Sequence, residues 1–561
     1  MRLSGTLLSL CFSCLISFSS APNEPVQRGG KLVIALRAEP KSLNPLTSMD
    51  TASRQVVSRM NADLITQNRA TQATAAALAE SWTVSPDGKH YTIRLRKNVH
   101  FSDGEPFDAD DVVFSIRLYL DEKTHAPQRD LLLIEGAPVE VRKVDQFTVV
   151  VDLPSTYATA ERMFDGLAML PRHLLQQSYS DGSLARAWGL NTPRTSIAGL
   201  GPFRLKAYQP GERIILERNP YYWNQGKPYL DEIEFLFVGD EDAQIARFIA
   251  GETDVINRLT PKNAALLQAR RFEVEDAGPS LDYNFLFFNL TSNLPSPAKD
   301  WFEDRAFRQA VSLAIDRKSM VDLVYSGKAT PLKVHVTPGN RMWVRPGFST
   351  PPAADPKMAR QILGTAGFKW NAAGRLLDKQ AQKVEFTILV PSNSAERSQI
   401  ATMVADDLKK IGIEAPVVSL EFRSMADRIL KTHEYEAAIM GLGAGDGDPN
   451  SEMNVWLSSG SMHIWNPEQA NAATAWEAEI DSLMRKQEVE TNLRARQQLY
   501  WRVQEIEAEE LPIISLVSPN VLAAKAARVR NFRPVILGND ILWNADELWL
   551  ARNRLASEPA K

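Results

Sequence analysis

The sequence predicts an α/β protein made of more than one structural unit. Its length of 561 residues corresponds to a few units at roughly 150 residues per unit. A hydrophobic fraction of 44% and a charged fraction of 24% are those of a soluble protein with a large core. Residues 383–440 alternate strand and helix through short connections, which is typical of a parallel sheet flanked by helices.

Strands in the first half are predicted from apolar residues at every second position. Helices lie between them. Asp108 is placed to cap a helix over residues 109–118, and Asp240 is placed to cap a helix that ends near Gly251. The predicted strands span residues 31–36, 91–96, 147–153, 214–218 and 233–238.

The second half continues the alternation of strands and helices. Its predicted strands span residues 384–390, 413–420, 435–440 and 512–517. Its predicted helices span residues 395–411, 425–431, 476–486 and 493–507. Turn-rich stretches are the candidate boundaries between units, and they lie at residues 70–74, 191–201 and 289–297.

Residues 1–21 have the layout of a secretory signal peptide. Arg2 supplies a positive charge, residues 7–18 form an apolar run, and small residues follow. A membrane-spanning helix needs about 20 apolar residues, and Pro22 and Pro25 end any helix that begins here. The sequence therefore predicts export across the inner membrane into the periplasm. A buried N-terminal helix is the alternative.

Both cysteines of the chain, Cys11 and Cys14, lie inside this predicted signal peptide. The mature chain would contain no cysteine, which excludes disulfides, thiolate metal sites and cysteine nucleophiles. A lipid anchor at Cys14 is an alternative fate. It is disfavoured because Cys11 stands where the lipoprotein pattern usually has an aliphatic residue.

Charge and motif content exclude several classes of function. The formal net charge is −4 with no clustered basic segment, which argues against nucleic-acid binding. No later segment approaches 18 uninterrupted apolar residues, so the mature chain is predicted not to span a membrane. The seven histidines include no pair at helical metal-site spacing, and neither a nucleophile elbow nor a phosphate loop occurs. We therefore expect no metal, no cofactor and no catalytic residue.

One glycine-rich run, residues 441–449, follows the predicted strand 435–440. A dinucleotide-binding fingerprint would require glycine where Asp446 stands, and Pro449 blocks the helix that should follow. The run is therefore either a flexible loop or the wall of a ligand site. The second interpretation is favoured, because glycine lets the backbone approach a ligand and strand carboxyl ends commonly line binding crevices.

A set of motifs occurs in a fixed order along the chain. They are residues 78–82 (LAESW), 85–88 (SPDG), 91–96 (YTIRLR), 99–107 (VHFSDGEPF), 109–115 (ADDVVFS), 201–205 (GPFRL), 217–223 (ERNPYYW), 307–310 (FRQA), 314–317 (AIDR), 359–363 (ARQIL) and 366–368 (AGF). Together they resemble the extracellular solute-binding proteins of ABC importers, in the oligopeptide, dipeptide and nickel family (family 5). The resemblance covers essentially all of residues 30–550.

The resemblance implies a two-lobed periplasmic-binding-protein clamshell of type II with an extra subdomain. It also implies a monomer that closes over a small-molecule or peptide ligand and delivers it to the permease subunits of an ABC transporter. The implied ranges are 30–75, 197–288 and 526–556 for a discontinuous lobe one, 76–196 for its inserted subdomain, and 289–525 for lobe two.

The resemblance also implies a ligand site. Peptide-binding members pair the ligand backbone, like an added strand, with a segment after the first strand and with the loop after the last parallel strand of lobe two. Their loop carries a Trp-x-x-Asp pattern, whereas Leu442 and Gly445 occupy those positions here. The candidate ligand-binding residues are Ala38, Glu39, Leu442, Gly443, Ala444, Gly445 and Asp446.

The sequence is compatible with alternatives for the ligand and for Asp446. A peptide is the favoured ligand, and a nickel chelate or an oligosaccharide is the alternative. A sensor or an enzyme on the same fold is a less favoured function than a transport receptor. Asp446 is expected either to face the cleft and hold a cationic ligand group, or, like Asp448, to cap the turn before Asn450.

Overall fold

A large mixed sheet accompanied by many helices confirms the predicted α/β class. The structure is a computed structural model that describes residues 24–48, 50–443, 445–467, 469–537 and 540–552. The α-helices are Thr51–Met60, Ala109–Leu120, Arg172–Ser180, Glu241–Ile249, Pro261–Ala269, Ala298–Glu303, Arg305–Ala314, Arg317–Val324, Pro356–Thr365, Ala395–Lys410, Phe422–Asp427, Met453–Trp456, Ala475–Val489 and Leu493–Glu510.

Twelve strands form the main sheet. Along the sheet their order is Phe203–Gln209, Arg213–Arg218, Glu232–Phe237, Lys31–Leu36, Val255–Ile256, Ile513–Lys525, Asp282–Phe288, Ala437–Gly443, Ile388–Pro391 and Val417–Leu420. Two further strands, Glu273–Pro279 and Ala329–Pro331, pair with Ile513–Lys525 outside this path.

The strand Ile513–Lys525, which we call the crossing strand, joins the two halves of this sheet. Its first residues pair with Asp282–Phe288, which continues into the parallel strands of the second half. Its last residues pair with Val255–Ile256 and Glu273–Pro279 of the first half. This one long strand therefore belongs to both halves of the main sheet.

The buried apolar side chains divide in the same way. One cluster includes Ile34 and Phe235 of the first half, whereas a separate cluster includes Phe288 and Ile388 of the second half. Each lobe thus buries its own apolar residues, which is what allows two lobes to move about a few connecting strands.

A separate antiparallel sheet lies inside the range predicted for the inserted subdomain, 76–196. Its strands, in order, are Ala79–Val84, His90–Leu95, Thr148–Asp152 and Glu140–Asp145. Strand pairs of two or three residues are Ile65–Gln67 with Thr74–Ala76, Leu133–Ile134 with Ala137–Pro138, Lys369–Trp370 with Leu376–Leu377, and Val529–Arg530 with Trp549–Leu550. The boundaries of the lobes stay predictions, and the end of the range 526–556 lies outside the described residues.

The two predicted helix caps are present. The Asp108 side chain accepts a hydrogen bond from the Asp110 amide, and Asp111 completes a capping box. The Asp240 side chain accepts from the Ala243 amide at the start of the next predicted helix. These local signals depend on neighbouring residues only, which explains why they could be read from the sequence.

The strand predicted at 384–390 is regular only over Ile388–Pro391. The Thr387 amide and hydroxyl both donate to the Glu436 carboxylate, at 2.7 and 2.8 Å. A side chain thus takes the place of a backbone acceptor at this point, and the regular ladder begins one residue later.

Candidate functional site

A cavity of about 590 Å³ lies where the segments that follow two strands of opposite lobes meet. Ala38 follows the strand Lys31–Leu36, and Gly445 and Asp446 follow the strand Ala437–Gly443. We call this space the interlobe cavity. Three of the predicted ligand-binding residues therefore line one space, although more than 400 residues of chain separate the two segments.

A second cavity, of about 520 Å³, lies beside the strands that connect the lobes. Leu442 and Gly443 line it together with Asp282 and with Asn520 of the crossing strand. We call it the hinge cavity. It shares Arg258 with the interlobe cavity, so the two spaces are adjacent.

Glu39 is a predicted site residue that lines none of these spaces. Its carboxylate accepts hydrogen bonds from the Tyr208 hydroxyl at 2.5 Å and from the Gly211 amide at 3.0 Å. These two bonds, the Tyr208 bond first, lower the pKa of Glu39. The Glu39 side chain thus fixes the segment after the strand Lys31–Leu36 to the hairpin formed by Phe203–Gln209 and Arg213–Arg218. Ala444, another predicted site residue, lies outside the described residues.

The Asp446 carboxylate has a partner within the protein. Its Oδ2 lies 3.4 Å from the Arg162 guanidinium, and its Oδ1 accepts from the Asp448 amide at 3.0 Å. Loss of solvent, together with the charge of Asp448, raises the pKa of Asp446, and Arg162 opposes that rise. The side chain is 43% exposed, so its carboxylate lies at the cavity wall with a cation already beside it.

Asp448, two residues later, is buried and caps the turn. Its Oδ1 accepts from the Asn450 amide at 3.0 Å, and both of its oxygens receive the Arg496 guanidinium, at 2.8 and 2.5 Å. The Arg496 guanidinium also stacks on the Trp343 ring, at 4.9 Å from the ring centroid. Of the two acids proposed for the cap, Asp448 caps the turn before Asn450.

Arg162 connects the inserted subdomain to this loop. Besides Asp446, its guanidinium lies 3.5 Å from an Asp448 oxygen and donates to the Gln72 carbonyl at 3.3 Å. Next to it, the Asn450 amide group donates to the Thr159 hydroxyl at 3.2 Å. Arg162 was not predicted as a site residue, because a lone arginine in the short helical turn Ala160–Phe164 carries no local pattern.

A third cavity, of about 440 Å³, extends into lobe one. It shares Arg54, Ser58, Arg69 and Asp540 with the interlobe cavity, so we call it the lobe-one cavity and treat it as a continuation of the same space. Burial, aided by the charge of Asp165, raises the pKa of its Asp63 carboxyl to about 7.

The described part of the chain contains neither a candidate metal centre nor a candidate membrane span. No group of three or more histidine, cysteine or acidic side chains is placed there to hold a metal ion. None of its helices combines the length and the apolar character that a membrane span requires.

Comparison with known proteins gives a consistent picture. The family model described as bacterial extracellular solute-binding proteins, family 5, middle region, matches residues 74–463. A probable ABC transporter-binding protein of Deinococcus radiodurans is 28% identical over 559 residues, which cover 94% of this chain and 93% of that protein. The oligopeptide-binding protein AppA of Bacillus subtilis is 27% identical over 562 residues, which cover 97% and 96%.

A solved structure shows the same fold. The ABC transporter substrate-binding protein CtaP of Listeria monocytogenes superimposes with a TM-score of 0.75 at 22% identity, covering 93% of this chain and 100% of that one. The ordered motifs, the two lobes around an interlobe cavity and the family match agree with one another. The chain belongs to the family 5 bacterial extracellular solute-binding proteins, the two-lobed solute receptors of ABC transporters.

Proposed function

We propose that this chain captures a small peptide between its two lobes in the periplasm and delivers it to the permease of an ABC importer. The observation that carries the proposal is the interlobe cavity, whose wall is formed by the ends of strands from both lobes. A ligand that touches both walls favours the closed state over the open one, and closure is the change a membrane partner can recognise.

The backbone around Ala38 supports a peptide as the ligand. Its amide and carbonyl have no hydrogen-bond partner among the described residues, although it lies only two residues after the paired strand Lys31–Leu36. Backbone groups left free at a strand end can pair with an extended peptide, which supplies affinity without regard to sequence. The printed name of the oligopeptide-binding relative from Bacillus subtilis agrees with this class.

A panel of di- to pentapeptides should raise the melting temperature of the mature protein. A ligand present at 100 times its Kd adds about 2.7 kcal/mol to the free energy of unfolding, which corresponds to roughly a few degrees for a chain of this size. Differential scanning calorimetry with free amino acids as the control measures the shift. If a nickel chelate or an oligosaccharide shifts the melting temperature and no peptide does, the peptide assignment is wrong.

The same samples separate a receptor from an enzyme. A transport receptor returns its ligand unchanged, so mass spectrometry after incubation should recover intact peptide.

We further infer that the protein acts as a monomer without metal or cofactor, and that its macromolecular partner is the permease. Reconstitution of that permease in vesicles, with and without this protein, tests the partnership.

Export is expected to remove the N-terminal segment, which lies outside the described residues. N-terminal sequencing of protein recovered from the cell envelope should place the first residue after a cleavage between about Ser19 and Ala21. An intact Met1 would contradict export. A blocked N-terminus carrying lipid at Cys14 would replace cleavage with a membrane anchor.

A further inference from the structure

Two arginines stand where the three cavities of the cleft meet. Arg258 lines both the hinge cavity and the interlobe cavity. Arg54 lines both the interlobe cavity and the lobe-one cavity. A ligand that occupies two of these spaces passes the residues that they share, and each shared set includes one of these arginines.

The other arginines of the interlobe cavity have carboxylate partners. Arg37 pairs with Glu241 at 3.0 Å, and Arg69 pairs with Asp165 at 2.7 Å. The guanidinium groups of Arg54 and Arg258, in contrast, have neither a hydrogen bond nor an ion pair within the described residues. Among the described arginines that line the interlobe cavity, these two are the ones without a hydrogen bond or an ion pair. The charge of Arg258 does act on Asp282 of the hinge cavity, where it opposes the rise in pKa that burial of that carboxyl causes.

The carboxylates that line the interlobe cavity are all engaged. Asp540 pairs with Arg59, and Asp446 pairs with Arg162. Asp50 caps the helix Thr51–Met60 and accepts from the amide and the hydroxyl of Ser53. Once internal pairs are counted, the described wall of the interlobe cavity presents positive charge to a ligand. The wall of the hinge cavity also contains the carboxylates of Asp282 and Glu396.

The backbone conformation of Arg258 is also one that occurs often at ligand sites. Its φ is 56°, in the left-handed region that a residue with a Cβ adopts only at a cost. Such a conformation persists when the surrounding structure holds it, and it occurs often at ligand sites. The next residue, Leu259, is held because its amide donates to the Leu522 carbonyl of the crossing strand at 3.0 Å.

We propose that the cleft selects an elongated ligand with two anionic groups, one bound at Arg54 and the other at Arg258. Guanidinium groups recognise carboxylate and phosphate oxygens through paired charge-assisted hydrogen bonds. The identity of this ligand rests on the peptide function proposed above. The ligand is then an acidic peptide, whose two anions are its terminal carboxylate and a glutamate or aspartate side chain. Asp446 then stabilises the closed loop through Arg162 and does not bind a cationic ligand group.

Isothermal titration with three matched tripeptides tests the inference: Ala-Glu-Ala, Ala-Gln-Ala and Ala-Lys-Ala. We expect Ala-Glu-Ala to bind at least about tenfold more tightly than Ala-Gln-Ala, which has the same shape without the charge. Arg54→Gln and Arg258→Gln should each weaken Ala-Glu-Ala by about tenfold or more. The variant that no longer distinguishes glutamate from glutamine has lost the side-chain site, and the other has lost the carboxylate-terminus site.

Arg270→Gln is the matched control. Arg270 is an exposed arginine of the same half of the chain, has no ion pair in the described structure and lines none of the three cavities. Its replacement should leave the affinity for Ala-Glu-Ala unchanged. Melting curves of all the variants should lie close to that of the wild type, because neither Arg54 nor Arg258 makes a hydrogen bond or an ion pair through its guanidinium in the described structure.

The outcomes separate this inference from the peptide function. If Ala-Gln-Ala or Ala-Lys-Ala binds as well as Ala-Glu-Ala, and the two variants behave like Arg270→Gln, the inference is wrong and the peptide function stands. If every peptide fails but citrate or an organic diphosphate binds and depends on both arginines, the peptide function is wrong and the inference stands. If no anionic compound in the panel binds, the inference is wrong.

Discussion

Replacement of His335 by alanine is expected to lower the free energy of unfolding by about 3–5 kcal/mol, the usual cost of leaving a buried charge without its partner. The imidazole is fully buried in lobe two. Its Nδ1 lies 2.5 Å from a Glu507 oxygen, and its Nε2 lies 2.9 Å from a Glu452 oxygen. Without the imidazolium, two buried carboxylates would face each other across a cavity.

The stability that His335 supplies should also depend on pH. Burial alone lowers its pKa, but the carboxylates of Glu507 and Glu452 outweigh burial and raise it to about 10. Between the unfolded value of about 6.5 and about 10, the folded protein binds more protons than the unfolded chain. The contribution is therefore complete below about pH 6.5 and is lost as pH rises toward 10.

Chemical denaturation from pH 6 to pH 10 measures both effects. His335→Gln, which preserves hydrogen bonding but not the charge, should lack the decline above pH 6.5 that the wild type shows. His90→Ala is the control, because His90 also contacts a carboxylate, Asp152 at 2.6 Å, but is 52% exposed, and surface pairs contribute about 0–1 kcal/mol. Equal losses in His335→Ala and His90→Ala would contradict the prediction.

The end of the crossing strand could not be predicted from local sequence signals. The sequence predicted a strand at 512–517, whereas the observed strand continues to Lys525. Residues Ser518, Pro519 and Asn520 are turn formers, so local propensity predicts an end there. Contacts distant in sequence overrule that signal, because the Ser280 amide donates to the Pro519 carbonyl at 2.9 Å.

The candidate site was predictable where it depends on chain order. Gly445 and Asp446 follow a predicted strand, and strand ends converge in α/β folds. Ala38, in contrast, was assigned to the site by the resemblance to family 5. Arg54 and Arg258 were not predictable, because an isolated arginine on a helix or in a loop resembles any solvated surface residue. Only the folded chain shows that neither guanidinium makes a hydrogen bond or an ion pair with a described residue, and that both arginines line the shared walls of adjacent cavities.

The loop that carries Gly445 and Asp446 depends on one buried acid, so Asp448→Asn is expected to be far more damaging than Asp446→Asn. Asp448 is 2% exposed and holds Arg496 through both carboxylate oxygens. Neutralising it leaves the Arg496 charge buried without a counter-ion, at a cost of about 3–5 kcal/mol. Asp446 is 43% exposed, and its replacement should change the free energy of unfolding by no more than about 0.5 kcal/mol.

Two double-mutant cycles make this comparison quantitative. One combines Asp448→Asn with Arg496→Met, and the other combines Asp446→Asn with Arg162→Met, so an acid and an arginine are removed each time. Urea denaturation should give a coupling energy of about 2 kcal/mol or more for the Asp448–Arg496 pair. The coupling energy should be less than about 1 kcal/mol for the Asp446–Arg162 pair, whose acid is 43% exposed. Equal coupling energies would show that Asp448 does not anchor the loop. In that case, the shape of the interlobe cavity wall must come from the backbone contacts of the loop, with Asn450 at Thr159 as the next contact to remove.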